Sequence, residues 1–417
     1  MAPLADAGRV LALKVATAAA QFVLLVVTAN WFGVEFRGTF ALFGAGVQFV
    51  ALLTGFLGSV SLGFLAARDA NRRDVLVLMT LTTVTAVTLP VAVLAPAWLA
   101  GTDPLAPHRV VVAVAAALSA VEAGVLLSGR SAWRSSLVEF LRPGLLLALA
   151  TGVVVLRGFR EPREFFVVWS AAAVLSVLLP LPLLVEHLRA LPRTGAVARP
   201  VSGLVRDLLR YGFTAQSSNL VQFLNYRSLF FALERHVGLA GVGVFSTAVS
   251  FAEMLWLPAS SLASSTLNRI ARGVDADARA LVLGNMRRAW VATAACALVA
   301  ALVPTSWVTG LLGDDFAAVR QVLVALVPGV VALGATQIAS AANAGRGAYG
   351  WNILAALAGL GLTGIGFLVL VPSAGMTGAL VAMNASYLAT SLVLIVHLAR
   401  TQHVRAGEWF GRGGRGA

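Results

Sequence analysis

Apolar runs of about twenty residues recur almost from end to end of the 417-residue chain. An α-helix rising about 1.5 Å per residue needs that length to cross the hydrocarbon core of a bilayer. The runs predict spans at 11–31, 40–66, 75–99, 109–128, 137–156, 165–186, 211–233, 239–266, 289–312, 319–343, 349–371 and 377–399. In lipid each backbone N–H and C=O must find its partner inside the element, and helices do this without a neighbour. The expectation is an all-α polytopic membrane protein of about twelve transmembrane helices.

Only 12% of the residues are charged, against about 25% in soluble domains. The longest polar intervals, 187–210 and 267–288, fall short of the ~50 residues that a separately cored domain requires. An active site in a large extramembrane loop is therefore not expected. The net charge of +13 does not point to nucleic acid. When the loops are assigned alternately to two sides, Arg68, Arg72, Arg73, Arg189, Arg206, Arg210, Arg269, Arg287, Arg288 and Arg400 all fall on one of them. The positive-inside rule then places both termini in the cytoplasm.

Several familiar chemistries find no support. Cys296 is the sole cysteine, and His108, His187, His236, His397 and His403 are scattered near span ends, so neither a disulfide framework nor metal-ligand spacing is present. Gly345, Gly347 and Gly350 spell GxGxxG, but no strand precedes them, and they read as a turn between two helices. No Walker motif or nucleophile elbow occurs, and no cofactor or metal is expected. The first residues lack a basic segment ahead of the apolar run, so no cleaved signal is expected.

Six spans return a chain to its starting side, so two halves of six would be parallel repeats. Gln21–Phe22 and Gly38–Thr39–Phe40 find counterparts in Gln222–Phe223 and Gly243–Val244–Phe245, at offsets of 201 and 205 residues. The expected organisation is a six-helix lobe over 1–186, a basic cytoplasmic connector over 187–210, a second lobe over 211–400 and a flexible tail over 401–417. Gly411–Arg415 make that tail basic.

Charges inside spans are costly and mark sites by default. Lys14, Glu122, Arg142, Arg227 and Glu253 are such residues. On the first span Lys14, Thr17, Gln21 and Thr28 fall within about 60° of helical arc. On the seventh, Gln216, Asn219, Tyr226 and Arg227 share a stripe of roughly 100°, with Gln222 and Asn225 off its edge. On the eighth, Ser246, Ser250, Glu253, Ser260 and Ser264 cluster, and Pro258 should kink the helix. Two readings stand side by side: these residues line a polar cavity, or they hold helices together by hydrogen bonds. Glu253 either pairs with Arg227 or titrates, and Glu122 and Arg142 lie toward span ends from which they can snorkel.

The order of several motifs resembles the Wzx-type polysaccharide flippases of the multidrug/oligosaccharidyl-lipid/polysaccharide exporter superfamily. These are Trp31–Gly38 at the first hairpin with Gly58 beyond it, and Tyr211–Gly212–Phe213 followed by Leu224–Arg227 and Gly238 through Ser246. Gly345–Arg346, Asn352, Val371–Pro372 and Gly375–Ala379 complete the series. The resemblance implies two six-helix lobes around a central cavity, and a polyprenyl-diphosphate-linked oligosaccharide carried outward by alternating access. The in-span charges and polar stripes fit that chemistry, with Arg227, Lys14 and Arg142 as expected headgroup contacts, Gln21, Gln216 and Asn219 as further cavity residues, and Glu253 or Glu122 as the site of a coupling ion. Membrane lipids and other polysaccharide-assembly proteins would be its partners. Relatives often pair an acidic residue with the arginine on the seventh helix, where this chain has Asn225, Tyr226 and Ser228. An ion-coupled small-molecule exporter and a membrane glycan ligase or polymerase are the competing expectations.

Overall fold

The computed structural model describes residues 2–56, 62, 65–66, 72–127, 133–192, 199–271, 278–402 and 404. Gly58, residues 193–198 of the expected connector, His403 and the basic tail from 405 lie outside them. Among the described residues every regular element is helical: α1 (Ala2–Gly55), α2 (Arg72–Leu99), α3 (Ala106–Leu127), α4 (Trp133–Leu156), α5 (Glu164–Leu178), α6 (Leu181–Ala190), α7 (Val201–Val237), α8 (Leu239–Met254), α9 (Leu257–Ala271), α10 (Ala278–Leu302), α11 (Thr305–Leu312), α12 (Val319–Gly345), α13 (Tyr349–Ile365) and α14 (Val371–Thr401).

Among these residues seven helical stretches are long and apolar enough to cross a membrane, or nine when each of two bent pairs counts as one span. Two of the stretches, Gly8–Gly55 and Tyr349–Thr401, are 48 and 53 residues long, each enough for two crossings. They turn at Gly33 (φ 76°) and Gly375 (φ 55°), a left-handed backbone that only glycine adopts without strain. The loops expected there shrink to single residues. The remaining expected span is α7, whose polar stripe leaves it less apolar than the others; it begins at Val201, so the end of the basic connector is already helical.

Proline sets the other breaks. α8 and α9 meet at 49° just ahead of Pro258, as its position predicts. The span expected at 289–312 is corrected: α10 runs from Ala278 to Leu302, and α11 departs from it at 83°. Pro304, extended at ψ 148°, cannot continue the helix. The carbonyls of Ala301 and Val303, left open at this break, accept hydrogen bonds of 2.8 Å from Arg320.

The chain forms two compact units, Met1–Val27 with Phe43–Leu220, and Thr28–Leu42 with Val221–Ala417. The first has a core of Leu62, Leu65, Val75, Leu78, Val121, Val125, Val138, Leu184 and Leu204. The core of the second is richer in alanine, with Ala259, Ala289, Ala339, Ala342 and Ala355 among Val282, Met286 and Ile338. Small residues let helices approach where lipid removes the hydrophobic drive.

Within the second unit the two hairpins built on Gly33 and Gly238 interlock. Gly38 sits directly against the carbonyl of Leu239, and Gly243 directly against the carbonyl of Val34. The offset of 205 residues relates Gly33 to Gly238, Val34 to Leu239 and Gly38 to Gly243, so the two contacts are one contact seen twice. Gly38→Ala places a methyl group on backbone that cannot yield and is expected to lower stability by about 1–3 kcal/mol. Gly46→Ala, with open space at its Cβ position, is expected to be neutral or to stabilise by up to about 1 kcal/mol. Thermal unfolding of the two purified variants checks the pair.

Candidate functional site

The second unit brings Arg227 and Glu253 together. α7 presents the arginine and α8 the carboxylate, which meet through Nη1–Oε1 at 2.8 Å and Nη2–Oε2 at 3.0 Å. This is a forked, charge-assisted pair of the kind that makes arginine a carboxylate and phosphate ligand. Both side chains are only partly covered, at 22% and 29% exposure. The guanidinium also lies 5.4 Å from the Phe230 ring. Of the two readings of Glu253, this structure shows the paired one.

Three aromatic rings adjoin the pair. Tyr226 stands 5.8 Å from Trp256 and 5.6 Å from Tyr387, and Trp256 is 5.6 Å from Tyr387. Trp256 and Tyr387 are buried. The Trp256 indole N–H donates to the Val330 carbonyl at 2.8 Å, and Gln222 donates to the Tyr226 hydroxyl at 2.8 Å. The helical-arc argument set Gln222 aside, yet its four-residue spacing to Tyr226 brings the two side chains together. Trp256 and Tyr387 were not among the expected site residues. The signal available for them was scarcity: the chain has four tyrosines, and two are in this cluster.

The other polar residues of these spans act mainly as interhelical or intrahelical bonds. Asn225 donates to the Ala356 carbonyl at 2.9 Å and accepts from Thr363 at 3.3 Å, tying α7 to α13. Ser246, Ser250, Ser260 and Ser264 each donate to a carbonyl of their own helical stretch. Such back-bonding satisfies the hydroxyl and leaves little for a ligand.

In the first unit, buried Gln216 donates to the Leu52 carbonyl at 2.7 Å and accepts from Asn219 at 3.1 Å, which binds α7 to the second arm of α1. Lys14 and Gln21 are exposed, while Thr17 bonds back to Leu13 at 2.8 Å. Arg142 is exposed on α4. Glu122 does not snorkel: it is 4% exposed on α3, and its Oε2 has no hydrogen-bond partner. Ser119, one turn earlier and 1% exposed, has an equally unpartnered hydroxyl. Among the described residues no group of His, Cys, Asp and Glu could hold a metal ion.

Several solved structures share this architecture. An inward-facing multidrug resistance MATE family transporter of the MOP superfamily superposes with a TM-score of 0.68 at 18% identity, over 92% of this chain and 96% of that one. An outward-facing transporter of the same description gives 0.63 at 16%, over 94% and 95%. A Vibrio cholerae MATE transporter gives 0.61 at 11%, over 97% and 99%. The fold is that of the MATE transporters. No family model and no curated protein matches the sequence.

Two outcomes test the electrostatics of these sites. Glu253→Ala strands the guanidinium and is expected to cost about 1–3 kcal/mol, while Arg227→Met combined with Glu253→Leu recovers most of that loss. Glu122→Gln removes a buried carboxylate with an open oxygen and is expected to leave stability unchanged or raise it by about 1 kcal/mol. Chemical or thermal unfolding of the variants in detergent measures each.

Proposed function

We propose that the protein is an alternating-access flippase that moves a polyprenyl-diphosphate-linked oligosaccharide from the inner to the outer leaflet of a bacterial inner membrane, with both termini cytoplasmic. The observation that carries this reading is the forked Arg227–Glu253 pair beside the Tyr226, Trp256 and Tyr387 rings. A diphosphate in hydrocarbon requires a cation that stays charged, and arginine does so at any accessible pH. A phosphate oxygen pair fits the same fork that the carboxylate fills. Cargo binding is then an exchange in which the diphosphate takes the guanidinium and the released Glu253 carboxylate takes up the coupling cation. The aromatic rings border the saccharide. Lys14 and Arg142, both exposed, supply further positive charge for the headgroup. Gln21, Gln216 and Asn219 are further cargo contacts in this reading. Glu122 is the second carboxylate available to a coupling ion.

The same fold also serves multidrug transporters, for which a cationic cargo would call for a free carboxylate. Here Glu253 is neutralised by Arg227 and Glu122 is covered, so the anionic cargo is the better fit.

Mass spectrometry of polyprenyl-diphosphate-linked glycans in cells depleted of the protein is the deciding experiment. One completed intermediate is expected to accumulate on the cytoplasmic side. Arg227→Ala, if it still inserts, is expected to reduce flux by about a hundredfold, equivalent to losing ~3 kcal/mol. Unchanged glycan pools together with loss of cationic-dye efflux would replace this reading with the exporter.

A further inference from the structure

We infer that Arg37 is a second phosphate-binding station, placed at the Gly33 hairpin of the second unit. Its side chain is 4% exposed, yet its Nε has no hydrogen-bond partner and none of the ion pairs among the described residues includes it. What it does have is the Phe40 ring, 4.9 Å from the guanidinium carbon. Glu35, the acidic residue nearest in sequence, is exposed. Other arginines of this unit are provided for: Arg227 has Glu253, and Arg320 has two carbonyl oxygens.

An arginine cannot escape burial by releasing its proton. Near a span end it would ordinarily extend its head toward the interface, and the low exposure shows that this one does not. A covered, fully charged, unpartnered guanidinium is strongly unfavourable unless an anion visits it.

The surroundings point the same way. Gly38, the next residue, packs on Leu239, the first residue of α8. The cap of that helix is Gly238, which has no side chain to occupy the first N–H groups, and these add positive character to this end of the unit. The open N–H groups at the start of a helix are themselves a setting for a phosphate oxyanion. Arg227 lies ten residues before the end of α7 at Val237, about 15 Å along the helix. A diphosphate leaving Arg227 toward the hairpin would meet Arg37 next. This inference rests on the anionic-cargo reading above for the identity of the ligand. The phosphate chemistry itself could equally come from a bilayer phospholipid headgroup.

The test uses the full chain in nanodiscs of phosphatidylcholine alone or with phosphatidylglycerol, and follows thermal unfolding with and without added undecaprenyl diphosphate. Wild type is expected to be stabilised by the diphosphate. Arg37→Gln is expected to weaken that response by about tenfold, to unfold no earlier than wild type in phosphatidylcholine without ligand, and to be partly rescued by Arg37→Lys. If phosphatidylglycerol alone produces the Arg37-dependent stabilisation, the station is supported and its phosphate belongs to the bilayer. Equal responses of wild type and Arg37→Gln in both lipids overturn the inference, as does earlier unfolding of ligand-free Arg37→Gln, which would mean that the folded protein already satisfies the guanidinium. Failure of wild type to respond to the diphosphate counts instead against the proposed cargo, and the phosphatidylglycerol arm still decides the role of Arg37.

Discussion

The second unit depends on one steric arrangement, the mutual seating of Gly38 on Leu239 and Gly243 on Val34. In lipid, helices gain little by hiding apolar surface from neighbours and associate by close packing instead. A residue without a side chain at each crossing lets backbone meet backbone. Because the two contacts are related by the 205-residue offset, each hairpin supplies both the glycine and the surface for the other. This packing draws Thr28–Leu42 into the unit formed otherwise by Val221–Ala417. It also fixes where α7 ends and α8 begins, and with them the ends of the helices that carry Arg227 and Glu253.

The second constraint is that polar groups inside a membrane must find partners. Most do so locally. Thr80, Thr82, Thr85 and Thr88 of α2 all donate to carbonyls one turn back, and the serines of α8 and α9 behave alike. Others join helices: Gln216 reaches Leu52, and Asn225 reaches Ala356. Against this background of satisfied groups the exceptions are informative. Arg227 and Glu253 satisfy each other while remaining only partly covered. Among the described residues Glu122 and Arg37 are covered with Oε2 and Nε left without a hydrogen-bond partner, one in each unit. A negative and a positive orphan of this kind are poor ways to build stability.

Much of the architecture was legible in the amino-acid order. Span length, the absence of any long polar interval and the breaking power of Pro258 follow from local rules of helix geometry, whereas the single-residue turns at Gly33 and Gly375 replace loops that the sequence led one to expect. The error at 289–312 arose because hydropathy continues past Pro304: apolar character alone does not distinguish a straight span from one that turns through 83°. For the site, angular position on an ideal helix gave Arg227 and Glu253 but not their pairing, and it grouped Gln216 and Asn219 with Arg227. Those residues share a stripe on α7 and belong to different compact units.

By itself the sequence determined that the chain is helical, that its apolar runs are of membrane-spanning length, and which side chains would be costly there, because these depend on composition and on periodicities of a few residues. Only the tertiary structure decided which of those costs are met. The pairing of Arg227 with Glu253, 26 residues apart, the approach of Tyr387 to Tyr226 and Trp256 from a distant helix, and the isolation of Arg37 and Glu122 all depend on how helices far apart in sequence are laid side by side. Partnership in a low-dielectric interior is a matter of three or four ångströms, and no one-dimensional pattern fixes positions to that precision.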